Sequence, residues 1–223
     1  MRVTKIFFFA CALHLAHHGG TQAQTLSGEA HLIDGDTLRL NGETIRLHGI
    51  DAPEAGQKCR SSGSGYWPCG EKAMDRLGEL IAGPIACNST ERDMYGRLIA
   101  VCFGADGVDL NSVMVDEGHA WAFRRYSEDY ALVEDRAKAR GVGIWQAKTE
   151  TPWDYRSQKW KVAQQTAPNG CPIKGNISSN GHIYHAPWSP WYTKTKVSVE
   201  KGEKWFCSER EAIDAGWRAP AWR

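Results

Sequence analysis

The run from His31 to Glu54, HLIDGDTLRLNGETIRLHGIDAPE, constrains the fold of this chain more than any other stretch. It sets Asp34, Asp36, Arg46, Asp51 and Glu54 on short strands and the turns that end them. Asp34-Gly35-Asp36-Thr37 is rich in residues that tolerate bent backbone and lies between the apolar-alternating runs Ala30–Ile33 and Thr37–Leu40. Asn41-Gly42 is the signature of a tight hairpin. Beyond it, Ile45 and Leu47 alternate with Arg46 and His48, so a strand of period two sends Arg46 to the face opposite the aliphatics. Pro53 ends the pairing and holds its predecessor extended, which leaves Asp51 at a strand end, where an acid can point at a ligand.

The start of the chain reads as a targeting segment. Met1 to about Ala23 carries Arg2 and Lys5, then an apolar run from Ile6 to Ala16, then a polar stretch ending Thr21-Gln22-Ala23, the build of a signal peptide over residues 1–23. The apolar run is far shorter than the roughly twenty residues a spanning helix needs, and no later stretch is long and apolar enough. The expectation is a soluble protein, secreted or periplasmic, without membrane contact after cleavage. Cysteine usage agrees. Apart from Cys11 there are Cys59, Cys69, Cys87, Cys102, Cys171 and Cys207, an even set that suggests disulfides in an exported chain. Cys87 and Cys102 flank a hairpin whose turn is Asp93-Met94-Tyr95-Gly96. With Arg92 opposite Arg97, the two cysteines stand directly across from each other, at the ~4.5–5.5 Å separation that suits a disulfide. Cys59 and Cys69 enclose the SSGSG loop and staple it; Cys171 and Cys207 remain for each other.

Charge divides the rest. From Gln24 to Glu150 there are 14 Lys/Arg against 20 Asp/Glu, whereas Thr151 to Arg223 has 11 against 6 and seven of the ten tryptophans. The expected division is a domain over 27–150, a linker over 151–170 that contains the turn Pro168-Asn169-Gly170, and a small basic Trp-rich module over 171–223. In the first segment the spacing predicts a helix from Gly70 to Ile81 with Ala73, Leu77, Leu80 and Ile81 on one face. Asp109 caps a second helix carrying Leu110, Val113 and Met114, ended by Gly118. A short strand near Ala120–Phe123 leads to a third helix, Glu128–Arg140, ended by Gly141. Short strands in hairpins with helices between them predict a mainly β fold, a five-stranded Greek-key barrel of the OB type with about three helices, rather than a parallel sheet.

These positions assemble one chemistry. Asp36 and Asp51 are hard oxygen donors of the kind calcium takes. Glu54, beyond the bent Ala52-Pro53 backbone, is placed to serve as general base for water. Arg46 and Arg97 offer planar guanidinium groups to the extra charge of a phosphodiester transition state. Standing alone, each of these has a plainer reading: a turn, a cap, a solvated loop acid, a surface strand residue. Together they form a complete hydrolytic set.

IDGDT, RLHGIDAPE and DMYGR in this order, followed by a helix ending Gly141-Val142-Gly143-Ile144-Trp145, resemble the staphylococcal nuclease (thermonuclease) family over roughly Ser27 to Ala147. The resemblance implies an OB-fold and a calcium-dependent phosphodiesterase of DNA and RNA. It puts Asp36, Asp51 and the Ala52 carbonyl on the metal, Glu54 as base, Arg46 and Arg97 on phosphate, and Asp34 behind the site. This chain has Ala52 where the family often has threonine, the Cys59/Cys69 segment after Glu54, and Met94 where lysine is common. Arg124 stands where an aromatic is common, while Tyr95 and Tyr126 remain; Tyr95, Tyr126 and Arg124 are the expected substrate contacts.

The second segment, CPIKGNISSNGHIYHAPWSPWY with KGEKWFCSEREAIDAGWRAP, resembles a tail module of some exported nuclease-like proteins, including ones labelled succinoglycan biosynthesis proteins. Its positive balance and tryptophans fit nucleic-acid binding. The plainer expectation, and the favoured one, is that Trp188, Trp191, Trp205 and Trp217 fill a small disulfide-stapled core. Zinc on Cys171, His182, His185 and Cys207 fits the ligand chemistry but not the usual cysteine spacing. The reading as a whole is a monomeric nuclease acting on DNA or RNA. The alternatives are a catalytically inactive OB-fold binder of nucleic acid or exopolysaccharide, or an accessory protein of succinoglycan biosynthesis.

Overall fold

Each turn predicted in the first half of the chain joins antiparallel strands. The computed structural model describes residues 24–220; the expected signal peptide and Cys11 lie outside the described residues. Strands β1 (Gln24–Gly28), β2 (Ala30–Asp34), β3 (Thr37–Leu40) and β4 (Glu43–Leu47) follow one another. At Asn41 and Gly42 φ is 52° and 83°, the left-handed pair that a two-residue type I′ hairpin requires. Leu40 accordingly pairs with Glu43 across it. Next come β5 (Ile50–Asp51), β6 (Cys59–Arg60), β7 (Tyr66–Trp67) and helix α1 (Cys69–Leu80). They are followed by β8 (Ile85–Arg92), β9 (Leu98–Phe103), α2 (Leu110–Asp116), β10 (Trp121–Ala122) and α3 (Ala131–Arg140).

The main sheet has the order β1-β8-β9-β4-β3-β2. All its pairs are antiparallel except β4 with β9. Alternation drives its curl, since β9 buries Leu98, Ala100 and Cys102 on one face, and β4 buries Ile45 and Leu47 while leaving Arg46 half-buried on the other. These residues close one core with Leu38 and Leu40 of β3, Leu77 of α1 and Met114 of α2. The result is the mainly β, OB-type barrel with helices that the sequence predicts. β1 was not foreseen: within QTLSG only Leu26 and Gly28 are even half-buried, so the segment has no clear apolar alternation to announce it.

The predicted hairpin register is corrected near its turn. Arg92 pairs with Leu98 rather than Arg97, and an irregularity between Ser89 and Glu91 shifts the ladder by one, so that Cys87 still faces Cys102. The structure contains the disulfides Cys59–Cys69, Cys87–Cys102 and Cys171–Cys207. The last of these is the expected pairing and consumes both sulfurs of the zinc alternative. Asp109 caps α2 by accepting the Ser112 amide at 3.0 Å. α3 begins at Ala131 rather than Glu128, because the Ser127 hydroxyl accepts the Asp129 amide and holds a turn there.

Residues 151–170, expected as a linker, are mostly helix α4 (Pro152–Thr166). Thr151 is its N-cap, accepting the Asp154 amide at 3.3 Å, and Pro152 occupies the first turn. Beyond it, β11 (Ile173–Ser178), β12 (Gly181–His185) and β13 (Lys204–Phe206) form a sheet of order β12-β11-β13, followed by α5 (Glu209–Asp214). The small core here is Ile173, Tyr184, Phe206, Ala212 and Trp217. Of the four tryptophans expected to fill it, Trp217 does; Trp188, Trp191 and Trp205 are half-buried, and the tryptophan packed against its side is Trp160. No described helix is long and apolar enough to cross a membrane.

Candidate active site

The two acidic turns of the opening motif meet. Asp36 Oδ2 accepts the Ala52 amide at 2.8 Å and its Oδ1 accepts the Thr37 hydroxyl at 3.0 Å. Asp51, at the end of β5, is pinned because it pairs with Trp121 of β10. Arg46 reaches from β4 to both acids: it forms an ion pair with Asp36, and its Nη2 donates to Asp51 Oδ1 at 2.8 Å and to the Ile50 carbonyl at 3.3 Å. Burial of Asp36, Asp51 and Glu54 makes these charge-assisted contacts matter, because removing one partner of a buried pair costs roughly 3–5 kcal/mol.

Glu54 is held by residues the sequence reading missed. Gln57, fully buried, accepts the Glu54 amide on Oε1 at 3.1 Å, donates its own amide to the Glu54 carbonyl at 2.7 Å and donates Nε2 to the Glu150 carbonyl at 2.8 Å. Gly70, in the first turn of α1, lies so close that a Cβ there would stand 1.8 Å from the Glu54 carbonyl oxygen. The Cys59–Cys69 bridge ties the far side of the same loop to α1. A buried glutamine three residues after an acid carries no local signal of this role.

Arg97 follows the Asp93–Gly96 turn, with Nε donating to Asp93 Oδ2 at 2.7 Å and its guanidinium 5.4 Å from the Tyr95 ring centroid. Arg46 feels its positive charge, after the larger effects of burial and Asp51. Tyr126 is exposed, its ring 4.9 Å from Phe123. Arg124 lies against α3, donating to Glu134 at 3.0 Å, to Asp135 at 2.6 Å and to the Ala131 carbonyl at 3.1 Å. The side chain keeps 38% of its surface exposed.

Arg156 of α4 completes the cluster, and nothing local in the sequence pointed to it. Its guanidinium donates to Asp51 Oδ2 at 2.7 Å, to Asp51 Oδ1 at 3.2 Å and to Glu54 Oε1 at 2.6 Å. Even so, burial disfavours charge on two of the nearby carboxylates. Burial, reinforced by the charge of Asp34, pushes the Glu54 carboxyl up to about 8 despite Arg156. Burial raises Asp34 as well, against its bond from the Gly35 amide and the pull of Arg46 and Arg156. Asp51 goes the other way: burial opposes its charge, but Arg46 and Arg156 outweigh burial and hold it below the usual range.

Clustered carboxylate and carbonyl oxygens are the donor chemistry of a hard divalent cation, so Asp36, Asp51 and the Ala52 carbonyl fit calcium in kind. They do not form a ready cage: among the described residues, no three His, Cys, Asp or Glu side chains are grouped to hold a metal. Guanidinium groups stand between them.

Comparison with known proteins gives two consecutive matches. A family model described as staphylococcal nuclease homologue matches residues 44–147, and one described as ArfC matches 152–219. The chain is 35% identical over 144 residues to the succinoglycan biosynthesis protein ExoI of Rhizobium meliloti (strain 1021), covering 62% of this chain and 74% of that one. It is 32% identical over 114 residues to an uncharacterized endonuclease of Escherichia coli, covering 49% and 68%. It is also 32% identical over 134 residues to a micrococcal nuclease of Shigella flexneri, covering 54% and 68%.

Proposed function

The chain belongs to the staphylococcal nuclease family and is a nuclease, and from that premise we propose an exported, calcium-dependent phosphodiesterase of DNA or RNA. The observation that carries the reading is the convergence of Asp36, Arg46, Asp51 and Glu54, with Arg97 close enough for its charge to act on Arg46. Export is supported by the three disulfides, which persist in oxidising compartments.

Calcium held by Asp36, Asp51 and the Ala52 carbonyl would polarise a phosphate oxygen and offset its charge. In its ionised form Glu54 accepts the proton of the attacking water, from a loop whose bracing by Gln57 and Gly70 fixes the position of its carboxylate. Arg46 and Arg97 donate paired N–H groups to phosphate oxygens, and those bonds strengthen as charge accumulates. Asp34 lies behind the site, its side chain fixed by the bond from the Gly35 amide. Tyr95 and Tyr126 offer ring faces to a nucleotide beside Arg97.

A purely binding OB-fold has no use for this hydrolytic set, and a role in polysaccharide assembly rests on the name of the Rhizobium relative alone. The test is release of acid-soluble nucleotide from single-stranded DNA. The reading predicts release with calcium and none with excess chelator; equal release in both would contradict it.

A further inference from the structure

Arg156 makes the same kind of contact with Asp51 and Glu54 that a divalent cation and a nucleophilic water would make. It uses both oxygens of Asp51, one of which also takes Arg46, and an oxygen of Glu54. The carboxylates are almost wholly inaccessible, with side-chain exposures of 0% and 10%, whereas Arg156 keeps 25%. The arginine therefore has a way out into solvent that the acids do not have.

The helix carrying it is lightly anchored. Only Pro152 and Ala163 of α4 are buried. Its aromatic contacts are made by two side chains: Trp153 stacks on Phe123 with ring centroids 5.5 Å apart and meets Trp121 edge-on at 6.3 Å, and Trp160 lies 6.3 Å from Trp188 and against the small C-terminal core. Farther along the same segment, α5 seats on the turn that carries Arg97: the Arg210 guanidinium donates to the Met94 carbonyl. Glu209, accepting the Tyr184 hydroxyl at 3.0 Å, lies in the field of Arg97 and Arg156. The segment after the barrel thus touches the site from two sides, at its carboxylates and at its second arginine.

We propose that α4 is a latch on the nuclease site: Arg156 occupies the space between Asp51 and Glu54 and must swing away before calcium and water can take it. The proposal rests on the reading that Asp51 holds the cation and Glu54 activates water. It makes the barrel's activity conditional on release of the C-terminal segment, by calcium itself or by substrate drawing the guanidinium onto phosphate.

The test is calorimetric titration of calcium into the full chain and three variants of verified fold. Arg156→Gln is expected to bind calcium at least ~10-fold more tightly, because an apparent affinity is reduced by the fraction of molecules held in the incompetent state. Arg156→Lys, whose single ammonium cannot bridge the two carboxylates in fork geometry, is expected to bind more tightly than the parent as well. Lys159→Gln removes one positive charge from the same helix without touching the acids and is expected to leave affinity unchanged.

Unchanged or weaker binding in Arg156→Gln overturns the latch, as does calcium binding by neither protein. Equal tightening in Lys159→Gln also overturns it, since net charge would then suffice. Hydrogen exchange on the unmodified protein adds a reading that needs no variant: amides of α4 are expected to exchange faster with calcium, and an unchanged rate counts against the proposal. Tightened binding and a released α4 without DNA cleavage leave the latch standing and defeat the nuclease reading; cleavage without either effect does the reverse.

Discussion

Asp36 Oδ2 accepts the backbone N–H of Ala52 at 2.8 Å, joining two turns sixteen positions apart in the chain. The bond gives Asp36 two duties. It positions the Ala52 backbone, and it presents its other oxygen toward Arg46 and the proposed cation. Asp36→Ala is expected to cost roughly 3–5 kcal/mol, because it leaves the buried Ala52 amide unpaired and takes one carboxylate from Arg46, and to abolish measurable calcium binding. Asp36→Asn keeps an acceptor for the amide, so it is expected to lose calcium with a smaller fall in stability. Denaturant midpoints and calorimetric titration of both variants separate the two duties.

Gly70 governs the position of Glu54 without contributing a side chain. A Cβ 1.8 Å from the Glu54 carbonyl oxygen is impossible without moving the loop or the first turn of α1. Gly70→Ala is therefore expected to lower kcat by ~10²-fold, the scale of a roughly 1 Å misplacement of a reacting group. Its stability cost is expected near 1–3 kcal/mol, as for overpacking elsewhere. A variant with normal kcat would mean that the position of Glu54 does not matter.

Arg97 is less entangled than Arg46, since its side-chain ion pair is with Asp93 on a partly exposed turn. Arg97→Lys is expected to reduce kcat ~10²–10³-fold, the usual loss when a transition-state donor is removed. The melting temperature is expected to move little, because such exposed pairs contribute only about 0–1 kcal/mol. Steady-state kinetics beside a thermal scan checks both halves.

Local chemistry made most of the barrel legible. Asp109 announced a cap and Asn41-Gly42 a hairpin, because each acts on its immediate neighbours. Cys87 and Cys102 were placed correctly although the register assumed at Arg92 was off by one, and the irregularity after Ser89 absorbed the difference. What stayed hidden depends on distance in sequence. Arg156 meets Asp51 across 105 positions, and no spacing rule reaches that far. Thr151-Pro152 with Asp154 did carry a helix-start signal, yet the polar residues that follow read as linker. The ion pairs of Arg124 stayed hidden for a similar reason: the acids that hold it lie on α3, ten and eleven residues away. Gln57 and Gly70 support the site by burial and close approach, which composition does not reveal.

The most direct measurement is the single-turnover rate of DNA cleavage by Glu54→Gln in saturating calcium, with calcium binding and fold checked on the same sample. The account predicts a rate lower by ~10²-fold or more, as for loss of a general base, with calcium still bound. Cleavage at the parent rate by a folded, calcium-loaded Glu54→Gln would contradict it, because the buried loop around Glu54 would then be structure and not chemistry.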